Sequence, residues 1–208
     1  MLGLPSNNRT VLVVVDPQND FCPGGALPVP GGDEIMPLVN ELTRYFDHTI
    51  FTQDWHTPRH ASFASTHGKK PYDTIDLAYG NQVLWPDHCV QGTQGAAFCQ
   101  SLDRRAAELV VRKGFRQEID SYSAFKENDQ ATPTGLAGYL RERGFERLVL
   151  CGLAFDFCVK WSALDSRQEG FATIVAEDAC RAIDLGGSAA AAREEMERAG
   201  VDLIRTGV

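Results

Sequence analysis

Six short runs dense in Val, Leu and Ile, separated by helical patterns, constrain this chain more than any other feature. They cover residues 10–15, 48–52, 108–112, 147–151, 172–176 and 201–205. Several are nearly continuous in apolar side chains rather than alternating, as strands are when both faces of their sheet are covered. The first helical stretch places Ile35, Leu38, Val39, Leu42, Tyr45 and Phe46 at three-and-four spacing, with Asp33 positioned to cap it. Residues 159–168 read as another helix, and 134–143 and 187–199 as two more, closed by the stop signals Gly144 and Gly200. Strands alternating with helices predict a three-layer α/β/α fold with a six-stranded parallel sheet, wound in the Rossmann manner. At 208 residues, with 43% hydrophobic and 23% charged side chains, one domain spanning 1–208 is expected.

Composition narrows the partners. The formal charge of −8 comes without any basic block, which argues against nucleic acid or an anionic membrane surface. No apolar run approaches the roughly 20 residues of a membrane span. Residues 1–9 carry no charged leader followed by an apolar stretch, so a cytoplasmic location is expected. The six cysteines, Cys22, Cys89, Cys99, Cys151, Cys158 and Cys180, show no CxxC spacing. Free thiols are therefore expected, rather than a disulfide framework or a zinc ribbon.

Between about residues 53 and 105 the alternation lapses, and only 93–100 has helical character. Loops of that length in a compact domain are usually functional or disordered. Trp55, Phe63, Tyr72, Tyr79, Trp85 and Phe98 argue against disorder. The segment reads as an ordered cap beside the strand ends, where open α/β sheets bind ligands.

Four strand ends deliver side chains with chemistry in them. Asp16 closes the first strand, Asp54 and His56 follow the second, and Lys113 closes the third. Cys158 follows the fourth, at the mouth of the 159–168 helix. In a parallel sheet these ends share one edge. Each residue alone has an ordinary reading: a turn-closing aspartate, a solvated lysine, a buried thiol, an Asp-x-His surface turn. Together they supply a base, a cation and a nucleophile, and the positive end of a helix dipole favours the thiolate. Asp54 and His56 are two apart, so in extended chain they point the same way, and His88 can fold back from the long loop as a third metal ligand. His60, Ser62 and His67 lie near enough in sequence either to add a ligand or simply to line the loop.

The runs VVDPQNDF, TQDWH, WPDHCVQGT, RKG and CGLAFDFCV stand in the order found in nicotinamidases. From about Val11 to its C-terminus the chain resembles that family, within the isochorismatase-like cysteine hydrolases. The resemblance implies a catalytic triad of Asp16, Lys113 and Cys158. It also implies one divalent metal ion, Zn²⁺ or Fe²⁺ with Mn²⁺ as a third option, held by Asp54, His56 and His88. A cis peptide between Leu153 and Ala154 would aim the N–H groups of Ala154 and Cys158 at a developing oxyanion. Phe21, Trp85 and Tyr122 become walls of a small pocket for nicotinamide, whose ring nitrogen meets the metal. The implied reaction is hydrolysis to nicotinate and ammonia through a Cys158 thioester, in NAD salvage, without an organic cofactor. Phe155 stands where many relatives have threonine, and Phe157 where some have tyrosine or histidine, so the pocket shape is expected to be this chain's own. A homo-oligomer is compatible with this reading. Two alternatives stay open: an N-carbamoyl amide hydrolase, which shares the triad but not the metal set, and a non-catalytic small-amide binding module.

Overall fold

The apolar runs lie side by side in space as parallel strands. The computed structural model describes residues 4–207; Met1 to Gly3 and Val208, which the expected 1–208 domain includes, lie outside the described residues. In chain order the elements are β1 (Thr10–Val15), α1 (Met36–Tyr45), β2 (Thr49–Asp54), β3 (Thr74–Leu77), β4 (Gly80–Val83), β5 (Ala107–Lys113), α2 (Leu136–Glu142), β6 (Arg147–Leu153), α3 (Lys160–Gln168), β7 (Ala172–Arg181), α4 (Ser188–Arg198) and β8 (Asp202–Ile204). The main sheet has the order β5-β2-β1-β6-β7-β8, and its pairings are parallel. Helices flank it: α1 touches β1 and β7, while α3 and α4 pack on each other, on β7 and on β8. No helix among the described residues is long and apolar enough to cross a membrane.

The central pair is where the sequence is most apolar. Val11 to Val15 and Leu148 to Cys151 are completely buried, and each such aliphatic side chain contributes roughly 1.5–3 kcal/mol by leaving water. From β1 the chain winds outward to β5 on one side; from β6 it winds outward to β8 on the other. The crevice at the C-terminal ends of β1 and β6 is therefore the topological switch point, the ligand position of open α/β sheets. Gly152 keeps the two strands close there. Its φ is +118°, and a Cβ at that position would lie 2.8 Å from the Val15 nitrogen.

Several boundaries differ from the sequence reading for physical reasons. The 93–100 helix does not form; this stretch is a series of turns. Its backbone is taken by long-range pairing: Asn19 N–H donates to the Ala97 carbonyl, Asp20 N–H to Gly95, and Cys99 N–H to Pro17, at 2.9–3.0 Å. The regular pieces of the cap are instead the β3–β4 antiparallel hairpin and a 3₁₀ turn over Ala64–His67. Asp33 does not cap α1 through its side chain; the helix begins at Met36 with Pro37 in its first turn, and the Met36 N–H bonds the Asp33 carbonyl. β7 continues five residues beyond the expected end, past a register shift opposite Leu150 and Gly152. The helical chain before α3 begins early, with a wide π-turn over Phe155–Val159.

Candidate active site

Asp16 leaves β1 with φ of +45°, a left-handed backbone that aspartate tolerates better than most residues. Its N–H donates to Thr52 Oγ1 at 3.0 Å, and that hydroxyl donates to Asp16 Oδ1 at 2.6 Å. Thr52, on the neighbouring strand β2, thus fixes the carboxylate and leaves Oδ2 facing Lys113. Lys113 ends β5 and is 1% exposed. Its ammonium lies 2.8 Å from Asp16 Oδ2 and pairs with Asp54. It also donates to the Ser121 carbonyl at 3.0 Å and reaches Cys158 Sγ at 3.4 Å. An ammonium has three protons, so four partners exceed its capacity. Asp16 Oδ2 is the one left without an aligned donor, in position to accept a proton.

Burial and charge divide the roles of these groups. Burial favours neutral Lys113, but Asp16, Asp54 and Cys158 outweigh it and hold the ammonium well above its usual pKa. Burial also opposes ionisation of Asp54, yet Lys113 and His56 prevail and keep its carboxyl well below the usual range. At Asp16 burial wins over Lys113, and Asp54 adds repulsion, so this carboxyl is pushed up. Cys158 is pushed well up, by burial first and then by Asp16 and Asp54, against the opposing pull of Lys113. The expectation of a dipole-favoured thiolate is corrected accordingly. Cys158 sits inside the Phe155–Val159 turn rather than ahead of a helix, and as a buried thiol it needs a base. The paired carboxylates are thus shifted in opposite directions, Asp16 toward holding a proton and Asp54 toward a fixed anion.

A second cluster shares Asp54. His56 Nε2 and His88 Nε2 lie 3.5 and 3.7 Å from Asp54 Oδ2. His56 Nδ1 donates to the Gly114 carbonyl at 2.9 Å and His88 Nδ1 to the Pro86 carbonyl at 2.8 Å. Because a carbonyl can only accept, each Nδ1 carries a proton, which leaves each Nε2 as the ring atom that can meet a metal ion, as metal-binding histidines are set by their outer partners. Burial opposes protonation of His56, but Asp54 prevails and raises its pKa. The three donor atoms lie within 4.8 Å of one another, and two imidazoles with one carboxylate fit a divalent ion. Gly114 is required beside them: its φ is +64°, and a Cβ would stand 2.6 Å from His56 Nδ1. The other candidate ligands are engaged elsewhere. His60 Nε2 donates to the Arg116 carbonyl while its Nδ1 accepts from Ser62 Oγ, both at 2.8 Å, and burial with the neighbouring His56 holds its pKa down at about 4. His67 donates to the Ala61 carbonyl.

Cys158, Asp54, His56 and His88 border one small cavity that also touches Phe21, Trp85, Tyr122 and Phe157. Phe157 packs edge-on against Trp85 and Tyr122, with ring centroids 4.9 and 5.7 Å apart. Flat aromatic walls around a space this small suit one planar ring. The Leu153–Ala154 peptide is cis, and Ala154 lines the cavity beside Cys158. Phe155, by contrast, is turned to a surface hollow on the far side with Arg181 and Arg193, so of the two departures only Phe157 shapes the pocket.

Sequence reasoning passed over several supporting residues. Gln18 is fully buried and clamps the Asp54 main chain, its Oε1 accepting from Asp54 N–H and its Nε2 donating to the Asp54 carbonyl, both at 2.8 Å. Asp20 accepts from the Cys89 N–H at 2.7 Å and so ties down the loop bearing His88. Gln82, on β4, donates to Asp120 Oδ2 at 2.8 Å and to the Tyr122 hydroxyl at 3.1 Å, linking the hairpin to the pocket wall. The available signal was polar residues embedded in otherwise apolar motif segments.

The isochorismatase domain model matches residues 10–207. The chain is 53% identical to the nicotinamidase of Acinetobacter baylyi, over 98% of this chain and 95% of that protein. Its structure matches a nicotinamidase pyrazinamidase of Acinetobacter baumanii with a TM-score of 0.95 at 51% identity, covering 96% of this chain and 97% of the other. A pyrazinamidase of Pyrococcus horikoshii, solved in complex with zinc, matches with a TM-score of 0.78 at 36% identity, covering 95% and 99%. On this evidence the chain belongs to the nicotinamidase family of isochorismatase-domain proteins.

Proposed function

We propose that this chain is a metal-dependent nicotinamidase that converts nicotinamide to nicotinate and ammonia through a Cys158 thioester, serving NAD salvage in the cytoplasm. The observation that carries the reading is the Lys113 ammonium among Asp16, Asp54 and Cys158, at a small aromatic cavity that also holds His56 and His88. The similarity to proteins named as nicotinamidases supports the choice of substrate.

Nicotinamide enters between Phe21, Trp85, Tyr122 and Phe157, its carboxamide toward Cys158. Asp16 Oδ2 takes the Sγ proton, and the sulfur attacks the carboxamide carbon. Backbone N–H groups of Ala154 and Cys158 receive the oxyanion. Asp16 returns the proton to the amide nitrogen, ammonia leaves, and Asp16 then activates the water that hydrolyses the thioester. Lys113 keeps its charge throughout and holds Asp16 in place. A divalent ion on Asp54, His56 and His88 would supply a Lewis acid for the ring nitrogen. Ammonia release from nicotinamide with and without chelator tests the reading.

Two measurements address the supporting residues. Gly114→Ala drives a methyl group into the His56 ring, so metal affinity is expected to fall about 10–100-fold in a competition titration with a chromophoric chelator. Unchanged affinity would remove His56 from the ligand set. Gln82→Ala frees Tyr122 and Asp120 from the hairpin; KM for nicotinamide is expected to rise about 10-fold with kcat within about threefold, because a pocket wall loosens while the reacting groups stay fixed. A fall in kcat at unchanged KM would contradict that role.

A further inference from the structure

Two thiols outside the cavity stand against each other: Cys22 Sγ and Cys99 Sγ are 2.9 Å apart. All six cysteines are free, and neither of these two has a part in the chemistry above. The backbone around them is already paired. Gln18 and Phe98 form an antiparallel bridge, and the Cys99 N–H bonds the Pro17 carbonyl at 2.9 Å. The sulfurs are therefore held together by chain segments that need no rearrangement to bring them closer. Both border a surface hollow with Asn19, Asp33, Gln100 and Ser101, and Cys22, 9% exposed against 4% for Cys99, is the more accessible of the two. The pair is also asymmetric. The contact between them lowers the pKa of Cys22 and raises that of Cys99, leaving the more exposed sulfur suited to attack and the other to resolve.

We infer that Cys22 and Cys99 form a reversible disulfide with a small-molecule disulfide as oxidant, a redox-modification site separate from Cys158. The Cys22 thiolate attacks the S–S bond of oxidised glutathione and one glutathione thiolate leaves. Cys99 gives up its proton to solvent and attacks Cys22 sulfur in the mixed disulfide, expelling the second glutathione. Two protein thiols are oxidised to one disulfide, and one glutathione disulfide is reduced to two thiols. The bond joins positions 77 residues apart, and cross-links that close long loops stabilise chiefly by restricting the unfolded chain. It fastens the segment bearing Phe21 to the cap without moving Asp16, Lys113 or Cys158, and does not depend on the proposed activity.

The test is incubation of the purified protein with oxidised glutathione, alkylation under denaturing conditions and peptide mapping. The expected result is that the Cys22 and Cys99 peptides are joined by a bond that dithiothreitol cleaves, while Cys89, Cys151 and Cys180 are alkylated. The thermal midpoint should rise by roughly 5–10 °C, return on reduction, and stay unmoved in Cys22→Ser and in Cys99→Ser. Full alkylation of both cysteines after oxidation, or stable separate glutathione adducts on them, would overturn the inference.

Discussion

Cys158→Ala is expected to lower kcat on nicotinamide by at least ~10⁴-fold while nicotinamide binding stays within about threefold of wild type. The two effects separate because the pocket and the nucleophile are different parts of the site. Phe21, Trp85, Tyr122 and Phe157 supply the aromatic walls, and none of them is supported by the sulfur. Losing Sγ removes one 3.4 Å contact from Lys113, which retains Asp16, Asp54 and the Ser121 carbonyl. The buried thiol sits among carboxylates that oppose its ionisation, so its removal is not expected to destabilise the fold by more than about 1 kcal/mol. Ammonia release and calorimetric binding, run on the same preparation, check both halves. Sustained turnover would exclude Cys158 as nucleophile; lost binding would mean that the cavity depends on it.

Lys113→Met carries the second large effect, on stability as well as rate. Methionine matches the length of the side chain but leaves Asp16 and Asp54 buried with no cation between them. Removing one partner from a buried ion pair typically costs about 3–5 kcal/mol, and that loss is expected in urea unfolding of the metal-free protein. Activity should fall at least ~10³-fold, since Asp16 loses the group that holds its orientation and charge. A double-mutant cycle separates this from poor packing. Adding Asp16→Asn to Lys113→Met removes one of the opposed carboxylates and is expected to recover about 1–3 kcal/mol. No recovery would mean that the lysine acts through its stem rather than its charge.

The positions of Asp16, Lys113 and Cys158 were readable because each ends or follows a strand, and a parallel sheet brings such ends to one edge whatever their separation in sequence. Asp54 and His56 were readable for a related reason: extended chain places alternate residues on one side. His88 was different. Its place depends on Asp20 gripping the Cys89 N–H and on Pro86 accepting from its ring. The first is a contact between distant segments that no local pattern reveals, so the residues alone offered His88 only as a ligand that could fold back, and the family resemblance singled it out. The failed 93–100 helix has the same cause, since Gly95 and Ala97 satisfy their carbonyls with Asp20 and Asn19 instead of with neighbours along a helix. The thiolate expectation failed because it considered the helix end alone. Burial, with Asp16 and Asp54 nearby outweighing the pull of Lys113, raises the Cys158 pKa instead.

If this cavity hydrolyses the carboxamide of a pyridine ring, initial-rate ammonia release from nicotinamide beside an N-carbamoyl amide will show it. The expected kcat/KM is at least about 100-fold higher for nicotinamide, abolished by a chelator and restored by Zn²⁺ or Fe²⁺. No ammonia from nicotinamide with metal supplied, or a preference for the N-carbamoyl substrate, would contradict it.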